Sequence, residues 1–195
     1  MKWINSWLVW LIIAASVHVN AQVNQIKRFE IPLPEEEESD FTTVSANDQG
    51  LILYRRLVGR KDDQMEFIRL DTALNETWRG YINVDKAVTV VDTEARQDFF
   101  FMLFRNQNYA ASDFKIVALE IKNGQYGTYS VKNLIPFLAT EFRITNDAAL
   151  IGGYFNYRPL ILHYSFATQS SKILPGFFNE PGELNQVNIN PDGSI

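Results

Sequence analysis

The sequence has 195 residues, 46% of them hydrophobic and 13% aromatic, with no cysteine and a formal net charge of −5. The lack of Cys excludes disulfides, thiol catalysis and thiolate metal centres, and the acidic balance argues against nucleic acid or an anionic membrane surface as partner. A chain of this length buries a sizeable core as one domain, and its stability must come from sheet pairing and apolar packing.

The chain opens with MKWINSWLVWLIIAASVHVNAQ. Lys2 supplies a positive start, Trp7 to Val17 is an apolar run broken only by Ser16, and Val19-Asn20-Ala21 is a small-residue cleavage site. This is the pattern of a secretory signal, with Gln22 as the new N-terminus and a secreted or periplasmic location as the expectation. A spanning helix needs about 20 apolar residues, roughly twice this core. A lipid anchor requires a Cys after the cleavage site, and there is none. Removing residues 1–21 leaves 174 residues with 17 Lys and Arg against 23 Asp and Glu, a net charge of −6. His163 then remains as the single histidine and Trp78 as the single tryptophan.

Residues 22–40 form a polar lead-in. VNQIKRFEIPLP reads as one edge strand ended by Pro32 and Pro34, and EEEESD as a solvated, self-repelling linker rather than a calcium loop, which needs spaced oxygen ligands and a turning Gly. From Phe41 onward strand follows strand: LILYRRLV, MEFIRLD, TWRGYINV, AVTVVD, FFFMLFR, FKIVALEI, TYSV, EFRIT, LIGGYF and PLILHYSF. These runs are rich in β-branched and aromatic residues and are bounded by Gly, Asn, Asp and Ser. FKIVALEIKNG contains good helix formers but is too short and uncapped for a helix, and SVKNLIPFLATE admits a short helical turn ended by Pro136. The adjacent glycines of IGGYF suggest a bulge or a close backbone approach.

The strands repeat. FTTVSANDQGLILYRR, AVTVVDTEARQDFFFMLFR, TEFRITNDAALIGGYF and LNQVNINPDGSI share one outline of apolar strand, polar turn and second apolar strand. Aligned on Leu51, Phe99, Leu150 and Ser194, they are spaced by 48, 51 and 44 residues. A third strand (Met65 to Asp71, Phe114 to Lys122, Leu160 to Phe166) and a fourth (Trp78 to Val84, Gly127 to Val131, Ser171 to Leu174) complete each of the first three units. Four antiparallel strands in such a period have the size and order of a β-propeller blade, a twisted sheet with two apolar faces that must stack on its copies. The blades fall at about residues 41–84, 87–132 and 139–175, with a partial one at 184–195. The alternative is a β-sandwich, whose strands would alternate more strictly and would not repeat.

The phrasing FIRLDTALNETW, with Asp71 in the turn and Trp78 opening the fourth strand, resembles propellers of the pyrroloquinoline-quinone-like and WD40-like kind. VALEIKNGQYGTYSV keeps the outline with Asn123-Gly124 and Tyr129, ILHYSFATQSSKIL has neither the Gly nor the Trp, and NPDGSI resembles the turn between the first two strands of such blades. The resemblance covers residues 41–195 and implies an architecture, not an activity. It implies blade packing rather than ligand contact for Trp78. A closed ring takes about four to eight blades, so the turn Asn190-Pro191-Asp192-Gly193, followed by Ser194-Ile195 opening a strand, reads as a cut through a fourth repeat in an N-terminal fragment.

No catalytic constellation stands out. His163 lies inside a strand, where a lone histidine is packing rather than a base. There is no G-x-S-x-G, no phosphate loop and no spacing that points to a metal cluster, so neither a cofactor nor a metal is expected. The sequon at Asn75 is common by chance. In propellers ligands meet the end where strand two joins strand three and strand four joins the next blade. Those loops carry Arg60, Asp62, Asp63, Asn108, Tyr109, Asn156, Tyr157 and Arg158, residue types suited to peptide or glycan contact. The expectation is an exported binding or scaffolding module for a peptide, glycan or partner protein. The alternative is the N-terminal part of a propeller enzyme, glycan-active or quinone-dependent, or of a sensor ectodomain.

Overall fold

The computed structural model describes residues 27–32, 40–108, 113–174, 181–184 and 187. The signal-like stretch, the acidic run and most of the tail lie outside them. The chain divides after Glu30. Residues 27–32, the described part of VNQIKRFEIPLP, carry no strand, so the edge strand expected there is not formed by them. Pro32 and the charges of Lys27, Arg28 and Glu30 give that segment neither a ladder donor at its end nor a continuous apolar face.

Beyond Glu30 the structure is three four-stranded antiparallel sheets. The first holds β1 (Thr42–Ser45), β2 (Leu51–Leu57), β3 (Asp63–Leu70) and β4 (Glu76–Val84). The second holds β5 (Val88–Arg96), β6 (Phe99–Asn106), β7 (Phe114–Glu120) and β8 (Tyr126–Val131). The third holds β9 (Leu138–Ile144), β10 (Ala148–Phe155), β11 (Arg158–Ser165) and β12 (Ser170–Ile173). Spatial order follows chain order in every sheet, so each is an up-and-down meander and a propeller-type blade. Three separate sheets in this order set the two-sheet sandwich aside.

Two details differ from the sequence reading. Residues 132–137 hold no helical turn; Asn133 Oδ1 accepts the Ile135 amide at 3.3 Å, an Asx-type bend that competes with helix, and β9 starts earlier than expected, at Leu138. A 3₁₀ turn at Asn47–Gln49 interrupts the first hairpin. Of the expected fourth blade only Leu184 and Val187 are described, and neither is in a strand.

The strands are apolar on both sides because both sides are covered. In β6, Phe100, Met102 and Phe104 join Met65, Phe67 and Ile82 of the first blade in one core. Leu103, on the other face of β6, joins Phe142, Ile151 and Leu162 of the third blade in a second core. Each such fully buried side chain contributes about 1.5–3 kcal/mol, which is why the second blade reads as the unbroken run FFFMLF. Rings knit the junctions: Phe67 meets Phe100 edge-on at 6.2 Å, and Tyr129 lies 4.9 Å from Phe166. Trp78 is a packing residue, as the resemblance implied. Its indole N–H donates to the Ile121 carbonyl at 2.8 Å, and its ring lies over Gly124, where a Cβ would come within 3.1 Å of it. Gly124 also has φ +73°, so the Asn-Gly turn serves backbone and neighbour at once.

Candidate functional site

Because the meanders run in the same sense, five connections leave one end of the blades: 58–62, 85–87, 107–113, 132–137 and 156–157. Hydrogen bonds lock those of the first two blades together. The Arg56 guanidinium donates to the carbonyls of Val88 at 2.6 Å and Asp85 at 3.0 Å. The Lys86 ammonium donates to the Arg60 carbonyl at 3.0 Å, and the Gln107 amide to the Ala87 carbonyl at 2.7 Å.

The residues expected to form the site fall into three groups. Arg60 and Asp62 are exposed on the first-blade loop, and Asn108 is exposed on the second, its amide bonded to Asn106 Oδ1 at 2.9 Å. Tyr109 lies outside the described residues. Asp63 is different: it opens β3 and is only 5% exposed. Its carboxylate accepts from Arg56 Nε at 2.7 Å and from the Gly59 amide at 3.1 Å. Burial opposes its ionisation, but these donors, with Lys86 nearby, hold the carboxyl below its ordinary value. Asp63 thus closes the loop from inside. Asn156, Tyr157 and Arg158 are exposed together at the β10–β11 turn.

That turn is the most unusual backbone at this end. Asn156 and Tyr157 are its two central residues, at φ +49° and +63°. Two left-handed residues in a two-residue hairpin make a type I′ turn, which matches strand twist and suits Asn in the first place and Gly in the second. Here Tyr occupies the second place, and it is 86% exposed. Beside it lies a cleft of about 1010 Å³. One wall is Pro136 and Leu138, at the entry to β9; another is residues 154–157; residues 181–183 of the tail form the third. The tail is held there by the Tyr154 hydroxyl, which accepts from the Leu184 amide at 2.5 Å, and by the Gly182 amide, which donates to the Tyr157 carbonyl at 3.4 Å. Of the seven large hydrophobic residues exposed among those described, Val58, Leu134, Leu138 and Tyr157 sit at this end.

The glycines of IGGYF fix the cleft wall, and both sequence expectations for them are met. The β9–β10 register shifts between Gly152 and Gly153, a bulge. A Cβ on Gly153 would fall 2.1 Å from the Leu138 carbonyl oxygen, and one on Gly152 would fall 2.7 Å from a Leu184 methyl.

A second constellation escaped the sequence reading. The first strands of the second and third blades bring Asp92, Glu94, Glu141 and Arg143 together. The Arg143 guanidinium lies 3.1 Å from the Asp92 carboxylate and 3.5 Å from that of Glu141. Glu94 accepts the Ile144 amide at 2.7 Å, across the junction of the two blades. Burial pushes the Glu94 carboxyl above its ordinary value, against the opposing pull of that amide and of Arg143 and Arg96. The legible signal was charge at alternate positions, in VDTEAR and TEFR, on the opening strand of successive repeats. His163 stands opposite Leu150 and Lys172 in the ladders of β11 and makes no side-chain hydrogen bond among the described residues. No cluster of His, Asp and Glu among the described residues can hold a metal ion. No helix there is long and apolar enough to cross a membrane.

No protein-family model and no curated protein matches the chain. Solved structures of the Synechocystis apocarotenoid oxygenase are similar to it: two single-residue variants and the cobalt-substituted enzyme, each at 6% identity with a TM-score of 0.44 or 0.45. Each match covers 64% of this chain, which spans 34% of the oxygenase. At that distance nothing of the enzyme's chemistry is carried over, and the blade assignment rests on the three sheets themselves.

Proposed function

We propose that this chain is an exported binding module that presents the loop end of its blades to a ligand, with the cleft beside Tyr157 as the principal site. One observation carries the reading. A bulky aromatic residue stands almost fully exposed, in a left-handed conformation that glycine would adopt without strain, at the rim of an open apolar-walled cleft. A residue kept where the backbone disfavours it points to a use for its side chain. Tyrosine brings a large rigid face and a hydroxyl at low entropic cost, the qualities of a binding residue. The lining and the volume are those of a ligand site.

The test is a binding screen against immobilised peptides and glycans, run in parallel with the Tyr157→Gly variant. A ligand that the parent holds and the variant loses supports the module. A parent that captures nothing, or a variant that captures as well as the parent, ends it. Export is tested separately by N-terminal sequencing of the protein produced in its own cells. The expected first residue is Gln22, and mature protein that still begins at Met1 would rule out cleavage.

A second reading, a propeller enzyme, draws on one feature: the partly buried Glu94, with its raised carboxyl, beside Asp92 and Arg143. A carboxyl group whose affinity for its proton is raised above the ordinary one is better suited to general acid catalysis than an unperturbed one. That reading requires a substrate contact at Glu94, for which a ligand-induced shift of the Glu94 carboxyl resonance is the test.

A further inference from the structure

The chemistry of the cleft walls restricts what enters. Among the described residues of the lining, Glu183 is, apart from two tyrosines, the single ionisable one, and no Lys, Arg or His is among them. Glu183 is exposed and has no hydrogen-bond or ion-pair partner among the described residues. Along the described lining an anionic ligand would therefore meet the Glu183 carboxylate and no cation, the nearest in sequence being Arg158 just outside it, whereas a cation would find a partner in Glu183.

The polar groups of the cleft are few and partly spent. The Tyr154 hydroxyl is engaged with the Leu184 backbone in both directions, at 2.5 Å as acceptor and 3.3 Å as donor. The Gly182 amide faces the Tyr157 carbonyl. Among the side chains of the described lining, what remains for a ligand is the Asn156 amide, the Tyr157 hydroxyl and the Glu183 carboxylate. A sugar ring surrounded by hydroxyls would leave several of them unpaired against Pro136, Leu138 and Pro181, at a desolvation cost the site does not offset. Peptides fit better. An extended, proline- or leucine-containing segment uses aromatic and proline walls through shape and apolar contact, and needs few polar partners. The volume, at the upper end of the range for ligand sites, holds several residues of such a segment.

We infer that the ligand is a cationic peptide, whose apolar side chains occupy the cleft beside Tyr157 and whose lysine or arginine meets Glu183. This rests on the binding-module reading above and adds the class and charge of the partner.

The experiment uses the full chain and fluorescence anisotropy with three dye-labelled probes: a Leu/Pro peptide carrying lysines, the same peptide with glutamates in their place, and a neutral oligosaccharide. An exposed carboxylate contributes a few-fold in affinity to a cation and costs a similar factor for an anion, so the lysine peptide should bind about tenfold tighter than the glutamate peptide. The gap should narrow as salt is raised, because screening acts on exposed charges. Glu183→Gln should remove most of it, and Glu183→Lys should invert it. Tyr157→Gly should weaken both peptides alike. A gap that survives Glu183→Gln belongs to the acidic surface at large and overturns the inference. Equal binding of the two peptides, lost with Tyr157→Gly, overturns the inference while leaving the module standing. Preference for the oligosaccharide, lost with Tyr157→Gly, does the same in favour of a glycan. Failure of every probe to show dependence on Tyr157 overturns both.

Discussion

Tyr157 and the pair Arg55–Glu66 show how single residues work against local preference here. A non-glycine residue in the left-handed region is strained by about 1 kcal/mol, more for a bulky side chain. Tyr157→Gly is therefore expected to raise stability by up to about 1 kcal/mol, measured by chemical denaturation, while it removes the aromatic face proposed to meet a ligand. A loss of stability would mean that the ring packs rather than waits for a ligand. Arg55 and Glu66 stand directly opposite in the β2–β3 ladder, 6% and 1% exposed. Glu66 accepts from Arg55 Nε at 2.6 Å, Arg79 at 2.8 Å and the Tyr81 hydroxyl at 3.1 Å. Arg55→Met leaves that carboxylate buried and short of a donor, and should cost about 3–5 kcal/mol. Burial raises the Glu66 carboxyl, but Arg55, Tyr81 and Arg79 together prevail and hold it below its ordinary 4.5. A lowered carboxyl stabilises the fold above its unfolded value, and that stabilisation is lost as pH falls through the folded one. The parent should therefore weaken on acidification below about pH 4.5, more steeply than Arg55→Met does. Parallel stability–pH curves for the two would refute this.

Among the elements, the third blade carries the sharpest constraint. Gly153→Ala places a methyl 2.1 Å from the Leu138 carbonyl oxygen and 2.8 Å from the Ala139 Cα, backbone that cannot swing aside. The expected cost is about 1–3 kcal/mol by thermal unfolding, with the Leu138 wall of the cleft displaced. Gly127→Ala in β8 is the control: nothing lies within 4 Å of its Cβ position, and the substitution should be neutral or mildly stabilising. Equal losses in both variants would show that strand glycines matter for entropy and not for contact. The strands were legible because burial on both faces writes apolar runs such as FFFMLF into the sequence, and the bulge because adjacent glycines interrupt one. The segment 132–137 admits a helical turn on sequence because Leu134, Ile135 and Pro136 imitate a helix end, while the deciding Asn133 contact leaves no pattern. The placement of Arg60, Asn108, Asn156 and Tyr157 in connections at one end of the blades was legible from the repeat. The left-handed Tyr157 was not, since a turn without glycine does not announce its φ. Asp63 looked like a loop residue because one charged side chain reads like another until its partners are seen. Arg55 and Glu66 stayed hidden for the related reason that charges in strands read as solvent-facing.

For the whole molecule, the blades are joined by side chains, with few backbone bonds between them. The junction of the second and third blades has an apolar core capped by the Glu94 carboxylate on the Ile144 amide. A raised carboxyl stabilises the folded state most fully below its unfolded value, and that contribution declines as pH rises through the folded one. Glu94→Gln keeps an oxygen for the Ile144 amide and removes the buried charge. It should raise the unfolding midpoint at pH 8 and leave it nearly unchanged at pH 4, and a variant less stable than the parent at pH 8 would show that the charge itself holds the junction. Such an arrangement also bears on how chains of this kind change length. A segment of 48 or 51 residues, the spacing between repeats here, carries its whole hydrogen-bond ladder with it. A duplicated copy needs from its neighbours only a matching apolar face, and gains or losses of a unit leave every existing ladder intact. The demanding step in such a change is refitting the junctions one at a time, and Trp78, whose indole N–H reaches from the first blade to the Ile121 carbonyl of the second, is one contact that a new neighbour would have to match.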